Sequence, residues 1–275
     1  MDNHLVILTG LHWLAVIFYV AATIGNTWGI IFNKEKTEQI SYRFIALGLL
    51  VHGAAILLWW HMVGHGPYMA RYEVLSSISW MLLVIFLISC RYFPGLRPAS
   101  ILVFPSAFLM IALAVFFSPQ TKTLPSTFRS IWLVLHVTFY KIALSTLVIA
   151  LVFSIFYFLK RRASFHWLAR LPELEQIDLF AYRFAGFGFV FWAIAMLAGS
   201  IWAYNSWGRF WGWDPIETWA LITWAGFGIY LHIRRFFGWQ GERAAWLFII
   251  CFLISLVSMF FVPLVDSTVH SEYFR

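Results

Sequence analysis

Charged residues are scarce in this sequence. Asp, Glu, Lys and Arg make up 11% of the 275 residues, whereas a typical soluble domain has about 25%. Hydrophobic residues make up 62%, against roughly 45–50% in soluble proteins. A soluble globule needs a polar surface, which so few charged residues do not provide, and the high hydrophobic content excludes an intrinsically disordered chain. The composition therefore predicts a protein that crosses a membrane several times.

Cysteine is also scarce: the sequence has two, Cys90 and Cys251. Both lie in apolar stretches and belong to no CxxC or Cys/His metal-binding pattern. We interpret them as buried apolar side chains, which excludes a disulfide scaffold. Basic residues outnumber acidic ones and give a formal charge of +7. They lie in short loops between apolar runs, where Lys and Arg indicate membrane topology, so no nucleic-acid partner is expected.

Long apolar runs, in contrast, are abundant. About 20 apolar residues in an α-helix cross a bilayer core of about 30 Å. The runs are continuous rather than alternating in polarity, which favours helices over membrane strands. Eight stretches are long enough: 5–32, 44–63, 74–92, 99–117, 130–159, 184–204, 218–237 and 244–264. The sequence therefore predicts an all-α, polytopic membrane protein with about eight transmembrane helices, forming a single membrane domain over residues 1–275.

Lysine and arginine are distributed unevenly between alternate loops. One set of loops holds 13 of these residues and the other set holds 5, while Lys141 lies within the fifth stretch. Cytoplasmic loops are enriched in Lys and Arg, so the first set is predicted to be cytoplasmic. Both termini and the connection between the sixth and seventh stretches are then external. We expect a multi-pass protein of the cell (inner) membrane, surrounded by membrane lipid.

Tryptophans cluster in the connection between the sixth and seventh stretches. Residues 202–219, the Trp-rich segment, read WAYNSWGRFWGWDPIETW. An aromatic belt at the membrane interface is one interpretation. A belt spreads its aromatic residues over many helix ends, however, whereas these lie in one segment interrupted by Gly208 and Gly212. Glycines permit close backbone approach, so the composition favours the alternative, a flat aromatic platform for a large planar apolar ligand.

The Trp-rich segment resembles the WWD domain of haem-handling membrane proteins, whose pattern reads approximately WGxxWxWDxxE. The longer run GSIWAYNSWGRFWGWDPIETWALITW is most similar to the CcsA (ResC) family of System II cytochrome c synthetases, and the resemblance is strongest over residues 71–275. One departure is Ile216, where the family commonly carries Lys. The resemblance implies haem b as the cofactor. The residues that it implies in haem contact are Trp202, Trp207, Trp211, Trp213 and Asp214. From their position alone, Asp214 and Glu217 are better explained as residues that order the loop and cap the next helix.

Histidine is the residue type that ligates haem iron, and two imidazoles give a six-coordinate iron. His136 lies near the external start of the fifth stretch, and His270 lies in the external tail. The resemblance matches these two to the external axial ligands of the family. It matches His232, about 21 Å along the seventh stretch from its external end, to an intramembrane histidine that receives haem first. A snorkelling or core histidine beside Arg234 is the alternative for His232.

The resemblance implies a subunit of a cytochrome c synthetase complex that moves haem to an external site. There the haem is presented to the CxxCH motif of apocytochrome c, and a CcsB (ResB)-type membrane partner supplies a further histidine. No catalytic residue is expected, so whether the chain counts as an enzyme is a matter of definition. One alternative is a haem-binding assembly factor or sensor. Another is an ion-coupled transporter that uses Lys141 and intramembrane histidines, although intramembrane carboxylates are few.

Several polar residues carry no family motif. His52, His61 and His65 belong to the second stretch and its external end, and structural roles are favoured for them. Lys141 either pairs with a carboxylate of a partner or ligand, or snorkels to the interface. The stretch from Arg71 to Glu73 is similar, imperfectly, to a family sequence at the same place, and we assign it no role.

Overall fold

The computed structural model describes residues 2–117 and 124–262. All regular structure in these residues is helical, and eight α-helices have at least 16 residues. They are α1 Asp2–Ile31, α2 Glu35–Val63, α3 Arg71–Tyr92, α4 Ser100–Val115, α5 Ile131–Arg162, α6 Leu174–Trp207, α7 Pro215–Phe236 and α8 Gly241–Leu256. Three short 3-10 turns, Pro94–Ala99, Ser126–Phe128 and His166–Arg170, lie between them, and a π-helical turn, Val257–Phe261, follows α8. The predicted all-α class is confirmed.

Seven helical segments of the described chain are long and apolar enough to cross a membrane. They are Asn3–Ile31, Glu35–Val63, Arg71–Tyr92, Pro94–Val115, Ile131–Arg162, Leu174–Trp207 and Gly241–Met259. The predicted seventh stretch forms α7, which has 22 residues but falls outside this set because Trp, Gly, Tyr and His interrupt its apolar residues. The chain is therefore a polytopic membrane protein, as predicted, with one fewer clearly apolar span than the sequence indicated.

The chain divides into two compact units. The first comprises residues 1–122 and 164–172, and the second comprises residues 123–163 and 173–275. The first unit thus contains α1 to α4, and the second contains α5 to α8. A single membrane domain over the whole chain stays a prediction.

In the first unit α1 packs along α2 and α4, and α3 packs on α4. Gly48 of α2 permits a close approach, because a Cβ there would lie 2.7 Å from the ring of Tyr19 on α1. The turn His166–Arg170 joins this unit through Arg170, whose guanidinium lies 2.7 Å from the carboxylate of Glu38. Cys90 is buried, as predicted.

In the second unit α5 lies along α6, and α7 and α8 pack on each other. Arg234 near the end of α7 donates two hydrogen bonds of 2.7 and 2.6 Å to Asp178 on α6. Asp178 also accepts the backbone N–H of Gly241, the first residue of α8, at 2.9 Å. One partly buried carboxylate therefore joins the start of α6, the end of α7 and the start of α8. Cys251 of α8 is buried, as predicted.

Candidate functional site

The non-helical part of the Trp-rich segment is shorter than the sequence predicted. α6 continues to Trp207 and α7 begins at Pro215, so only residues 208–214 form a loop. Gly208 ends α6 in the left-handed region, with φ of 73°, which is a conformation that glycine adopts at helix C-termini without steric strain. Trp202 and Trp207 therefore lie on α6, and only Trp211 and Trp213 lie in the loop.

Two carboxylates order this loop and the start of α7. Asp214 Oδ1 accepts the N–H of Ile216 at 2.8 Å. Glu217 Oε2 accepts the N–H groups of Gly212 at 2.7 Å and of Asp214 at 3.3 Å. The pair forms a capping box, which satisfies N–H groups that have no partner within the helix. The preferred interpretation of Asp214 and Glu217 as loop-ordering residues agrees with this geometry, and haem contact by Asp214 stays a prediction.

The two loop tryptophans are held in unlike environments. Trp213 is 71% exposed and has φ of 57°, which is uncommon for a residue with a bulky side chain. The Trp211 ring meets that of Trp213 at 85°, with ring centroids 5.9 Å apart. Trp211 Nε1 is buried, and no group among the described residues accepts its hydrogen. A buried donor without an acceptor is unfavourable, so this N–H is suited to an acceptor on a bound molecule.

The indole of Trp202 is buried. Its Nε1 donates to the carbonyl of Thr127 at 2.8 Å, and its ring packs on the edges of Phe128 and Trp207. The planes of Trp202 and Trp207 meet at 65°. The tryptophans therefore do not form one flat surface, because the helical positions of α6 direct successive rings differently.

Sequence reasoning did not find the coplanar pair of exposed rings in this segment. Tyr204 and Phe210 stack with centroids 4.3 Å apart and an interplanar angle of 8°. Both are about half exposed. In the sequence, the only indication of this pair was that both residues are aromatic and lie on either side of Gly208. Gly208 ends α6.

His136 lies in the first turns of α5, half-buried against α6. Its Nδ1 donates to the backbone carbonyl of Ala195 at 2.8 Å. Its ring lies 6.3 Å from that of Trp202, with the planes 28° apart, and meets Tyr140 at 88°. Because a carbonyl can only accept, the proton is on Nδ1, and Nε2 carries the lone pair that a metal ion takes. This arrangement is the one in which histidine ligands of metals are usually held.

Gly199 permits His136 to reach that carbonyl. A Cβ at position 199 would lie 2.4 Å from Nδ1 and 2.6 Å from Cε1 of His136. Real Cβ atoms essentially never approach so closely, so a larger residue would displace the imidazole. Sequence reasoning missed Gly199, although its spacing of four from Ala195 is the small-residue spacing of close helix contacts in membranes.

The other predicted iron ligands lie elsewhere. His270 lies outside the described residues. His232 is on α7, about 26 Å from the helix start at Pro215, and its side chain is exposed. Its ring contacts those of Phe236 and Phe237, with centroids 4.6 and 6.0 Å away. The structure therefore does not bring His232 to the Trp-rich segment, in agreement with the depth estimated from the sequence.

A cavity of about 720 Å³ opens beyond the C-terminal end of α7. Its lining residues are Tyr157, Arg161, Phe237, Gly238, Trp239, Gln240, Gly241, Glu242, Arg243 and Trp246. The lining combines aromatic rings with two arginines, and Phe237 links it to His232. Lys141 is also in this unit, on α5, and is buried. Among the described residues no three His, Cys, Asp or Glu side chains form a cluster for a bare metal ion.

Comparison with known proteins identifies the family. A family described as "Cytochrome C assembly protein" matches residues 94–270. Proteins named "Cytochrome c biogenesis protein CcsA" are similar to the chain. The one from Chlamydomonas reinhardtii is 34% identical over 226 residues, covering 80% of this chain. The one from Guillardia theta is 31% identical over 268 residues, covering 88% of this chain. The one from Prochlorococcus marinus strain AS9601 is 29% identical over 287 residues, covering 94% of this chain.

The chain covers different shares of the relatives' own lengths. The chain spans 64% of the length of the Chlamydomonas protein, but 89% and 92% of the other two. The family match covers more than half of this chain and includes α5 to α8 with the whole Trp-rich segment. The chain therefore belongs to the cytochrome c assembly protein family, as a CcsA-type cytochrome c biogenesis protein.

Proposed function

We propose that the chain is the haem-binding and haem-delivering subunit of a cytochrome c synthetase. The observation that carries the proposal is the geometry of His136, whose Nδ1–H is held by the carbonyl of Ala195 beside the Trp-rich segment of a cytochrome c biogenesis protein. An imidazole with a fixed tautomer is pre-organised to ligate iron through Nε2.

The chemistry of the donor set fits haem b. His136 and His270 would hold the iron, Trp202, Trp207, Trp211 and Trp213 would pack against the porphyrin, and Asp214 would order the loop that carries two of these tryptophans. The buried N–H of Trp211 suits a carboxylate acceptor, and haem carries two propionates. When bound, the haem supplies the vinyl groups to which the two thiols of an apocytochrome CxxCH motif add.

The residues of this chain bind and orient rather than react. The Ala195 carbonyl keeps the proton of His136 on Nδ1, and Gly199 leaves space for the ring. Glu217 holds the backbone of the loop at Gly212, so that the loop tryptophans keep their positions. Fixing reactants in a productive geometry is itself a large contribution to rate, and no general base of this chain is required.

His232 is proposed to belong to a separate, inner haem site. Its exposed side chain on α7 is accessible to a CcsB (ResB)-type partner, which would supply a second histidine. The cavity beyond α7 supports this assignment, since Arg243 can pair with a carboxylate and the aromatic lining suits a planar ligand. The excess of Lys and Arg in alternate loops favours placing this end in the cytoplasm, and the Trp-rich segment and both termini outside the cell membrane.

Haem spectra of single-histidine variants test the ligand assignment. We expect His136→Gly and His270→Gly each to convert low-spin haem to a high-spin or mixed state, because each removes one axial ligand. Free imidazole should restore the low-spin spectrum by filling the vacated space. His232→Gly should reduce the amount of bound haem without changing its spin state at the outer site. His166→Ala, at an exposed position in the turn His166–Arg170, is the control.

Reconstitution separates this function from a haem sensor or assembly factor. The chain with a CcsB-type partner, haem and a CxxCH peptide should yield a covalent haem–peptide product. Haem binding without attachment would support the sensor or assembly factor instead. Low-spin haem retained in full by both His136→Gly and His270→Gly, without imidazole, would contradict the ligand assignment.

A further inference from the structure

Three helices of the first unit share a buried chain of hydrogen bonds. Tyr19 Oη lies 3.1 Å from Nδ1 of His52. His52 Nε2 lies 2.8 Å from Ser76 Oγ, which is 3.2 Å from Nε2 of His12. All of these side chains are at most 2% exposed. The chain therefore connects α1, α2 and α3 through polar groups that have no access to solvent.

One arrangement of protons satisfies every link. His12 Nδ1 lies 3.1 Å from the carbonyl of Leu8, which can only accept, so this nitrogen carries the proton and Nε2 accepts the Ser76 hydroxyl. Ser76 Oγ in turn accepts the Nε2–H of His52. The remaining His52 nitrogen, Nδ1, accepts the hydroxyl of Tyr19. These tautomers follow from the partners of each group, and in this arrangement both imidazoles are neutral.

A buried carboxylate lies beside this chain. Glu73 of α3 is 2% exposed. Its Oε1 accepts the indole N–H of Trp59 at 2.7 Å, and its Oε2 accepts the backbone N–H groups of Met69 at 2.7 Å and Ala70 at 3.2 Å. Within residues 2–117, no Lys, Arg or His nitrogen lies within 4.0 Å of it, so its hydrogen-bond donors are all neutral.

A small cavity lies between the carboxylate and the chain. Its volume is about 10 Å³, close to the minimum that holds one water molecule. Its lining residues are His12, Ile56, Trp59, Pro67, Tyr72, Glu73 and Ser76. The surface that faces this cavity is apolar, which favours a dry gap over a buried water molecule. Glu73 and His12 both line the gap, so the carboxylate acts on the imidazole through a medium of low dielectric constant.

Further polar groups surround His12. The hydroxyl of Tyr72 lies 3.1 Å from both of its ring nitrogens. The ionisable side chains near the site are Tyr19 on α1, His52 on α2, His65 and Tyr68 between α2 and α3, and Tyr72 and Glu73 on α3, and the exposed Arg71 begins α3. The other ionisable residues of α1, α2 and α3 lie further along these helices, and α4 has none. In the connection outside the helices, burial and then the Glu73 carboxylate raise the pKa of Tyr68. Glu73 is thus the acidic group nearest to these rings.

We propose that Glu73, the water-sized cavity and His12 form a proton-binding site inside the membrane. A proton from solution adds to the Nε2 lone pair of His12, so that the imidazolium balances the negative charge of Glu73, and no electrons are transferred. Ser76 can then no longer donate to His12, and its hydroxyl turns away. The hydrogen bond between Ser76 and His52 changes as a result, so the occupied site alters the contact between α2 and α3.

This site goes beyond the proposed haem function, since its residues belong to the first unit and the proposed haem ligands that the structure describes belong to the second. It also contains a buried carboxylate, Glu73, in the first turn of α3. An acidic and a basic side chain around one water-sized cavity are the components that proton-binding sites in membranes use.

Nitrogen NMR of the full chain in lipid nanodiscs, with ¹⁵N-labelled histidine, tests the proposal. The spectra distinguish the two neutral tautomers from imidazolium, and His12→Gln identifies the His12 signals. We expect His12 to become imidazolium as the pH falls, with the His52 signals shifting at the same midpoint. Glu73→Gln keeps the shape and removes the charge, so it should lower the proton affinity of His12 by about tenfold or more. His61→Gln, at an exposed position on α2, should leave the midpoint unchanged.

Ser76→Ala provides an independent measurement that does not depend on the folding of Glu73→Gln. It removes the hydroxyl between the two imidazoles, so His12 should still titrate while the His52 signals no longer follow. An unchanged His12 midpoint in Glu73→Gln would overturn the proposal. So would a His12 that stays neutral over the whole pH range in which the protein remains folded, or a His52 that still follows His12 in Ser76→Ala.

Discussion

Replacing Gly199 with alanine tests how the protein holds His136. A Cβ at this position would lie 2.4 Å from Nδ1 of His136, which is much shorter than a van der Waals contact. α5 and α6 pack along each other, so we expect the imidazole to move rather than the helix backbones to separate. The ring then loses its 2.8 Å hydrogen bond to the carbonyl of Ala195, and its Nδ1 tautomer is no longer fixed.

The expected magnitude follows from these two effects. The hydrogen bond contributes about 0.5–1.5 kcal/mol net, and inserting a methyl group into a packed contact costs typically 1–3 kcal/mol. Alanine's higher helix propensity offsets up to about 1 kcal/mol of this cost, so we expect Gly199→Ala to lower the free energy of unfolding of the second unit by about 1–3 kcal/mol. Loss of the group that orients a metal-binding histidine typically weakens metal affinity about 10–100-fold, so bound haem should become partly high-spin.

Gly186→Ala on the same helix is the matched control. No heavy atom lies within 4 Å of a Cβ placed at Gly186, so this change should be neutral or stabilise α6 by up to about 1 kcal/mol through helix propensity. Thermal unfolding and the visible spectrum of bound haem are measured for both variants and the wild type. If Gly199→Ala matched Gly186→Ala in both measurements, the Ala195 contact would not be what positions His136.

Two further predictions concern the second unit and the orientation of the chain. Asp178→Asn leaves the buried guanidinium of Arg234 without its charged partner and should lower the free energy of unfolding by about 3–5 kcal/mol. Glu173→Gln, which removes an 87%-exposed carboxylate 3.7 Å from a lysine, should change it by less than about 1 kcal/mol, and thermal unfolding compares the two. An alkaline phosphatase fused after Trp207 should be active and one fused within residues 160–183 inactive, because Lys and Arg mark the cytoplasmic side. The reverse activities would overturn the proposed topology.

The helices and their ends were largely predictable because their determinants are local. Apolar runs long enough to cross a bilayer locate most helices, and α7 begins at the Asp-Pro pair of residues 214 and 215, where the sequence predicted a cap. The end of α6 was also readable in principle, since Gly208 is a typical C-terminal stop. The shared aromatic character of residues 202–219 obscured this helix end, so the sequence predicted a longer loop than residues 208–214, which the structure shows.

The orientation of individual rings was not predictable, because it depends on contacts distant in sequence. Trp202 is buried, and its indole N–H donates a hydrogen bond to the carbonyl of Thr127, 75 residues away. His136 is positioned by Ala195, 59 residues away. No periodicity within either segment encodes these pairs. Only the small residue at Gly199 carried a local signal, and that signal indicates a close helix contact without naming the side chain that fills it.

The two units contain histidines held in the same way but placed for different chemistry. In each unit an Nδ1–H donates to a backbone carbonyl, that of Leu8 for His12 and that of Ala195 for His136. His136 is half-buried beside Trp202, where an entering ligand can reach its ring. His12 is enclosed, and its Nε2 faces the hydroxyl of Ser76. The shared carbonyl contact leaves Nε2 as the basic atom in both, so the surroundings of that atom determine whether it is suited to iron or to a proton.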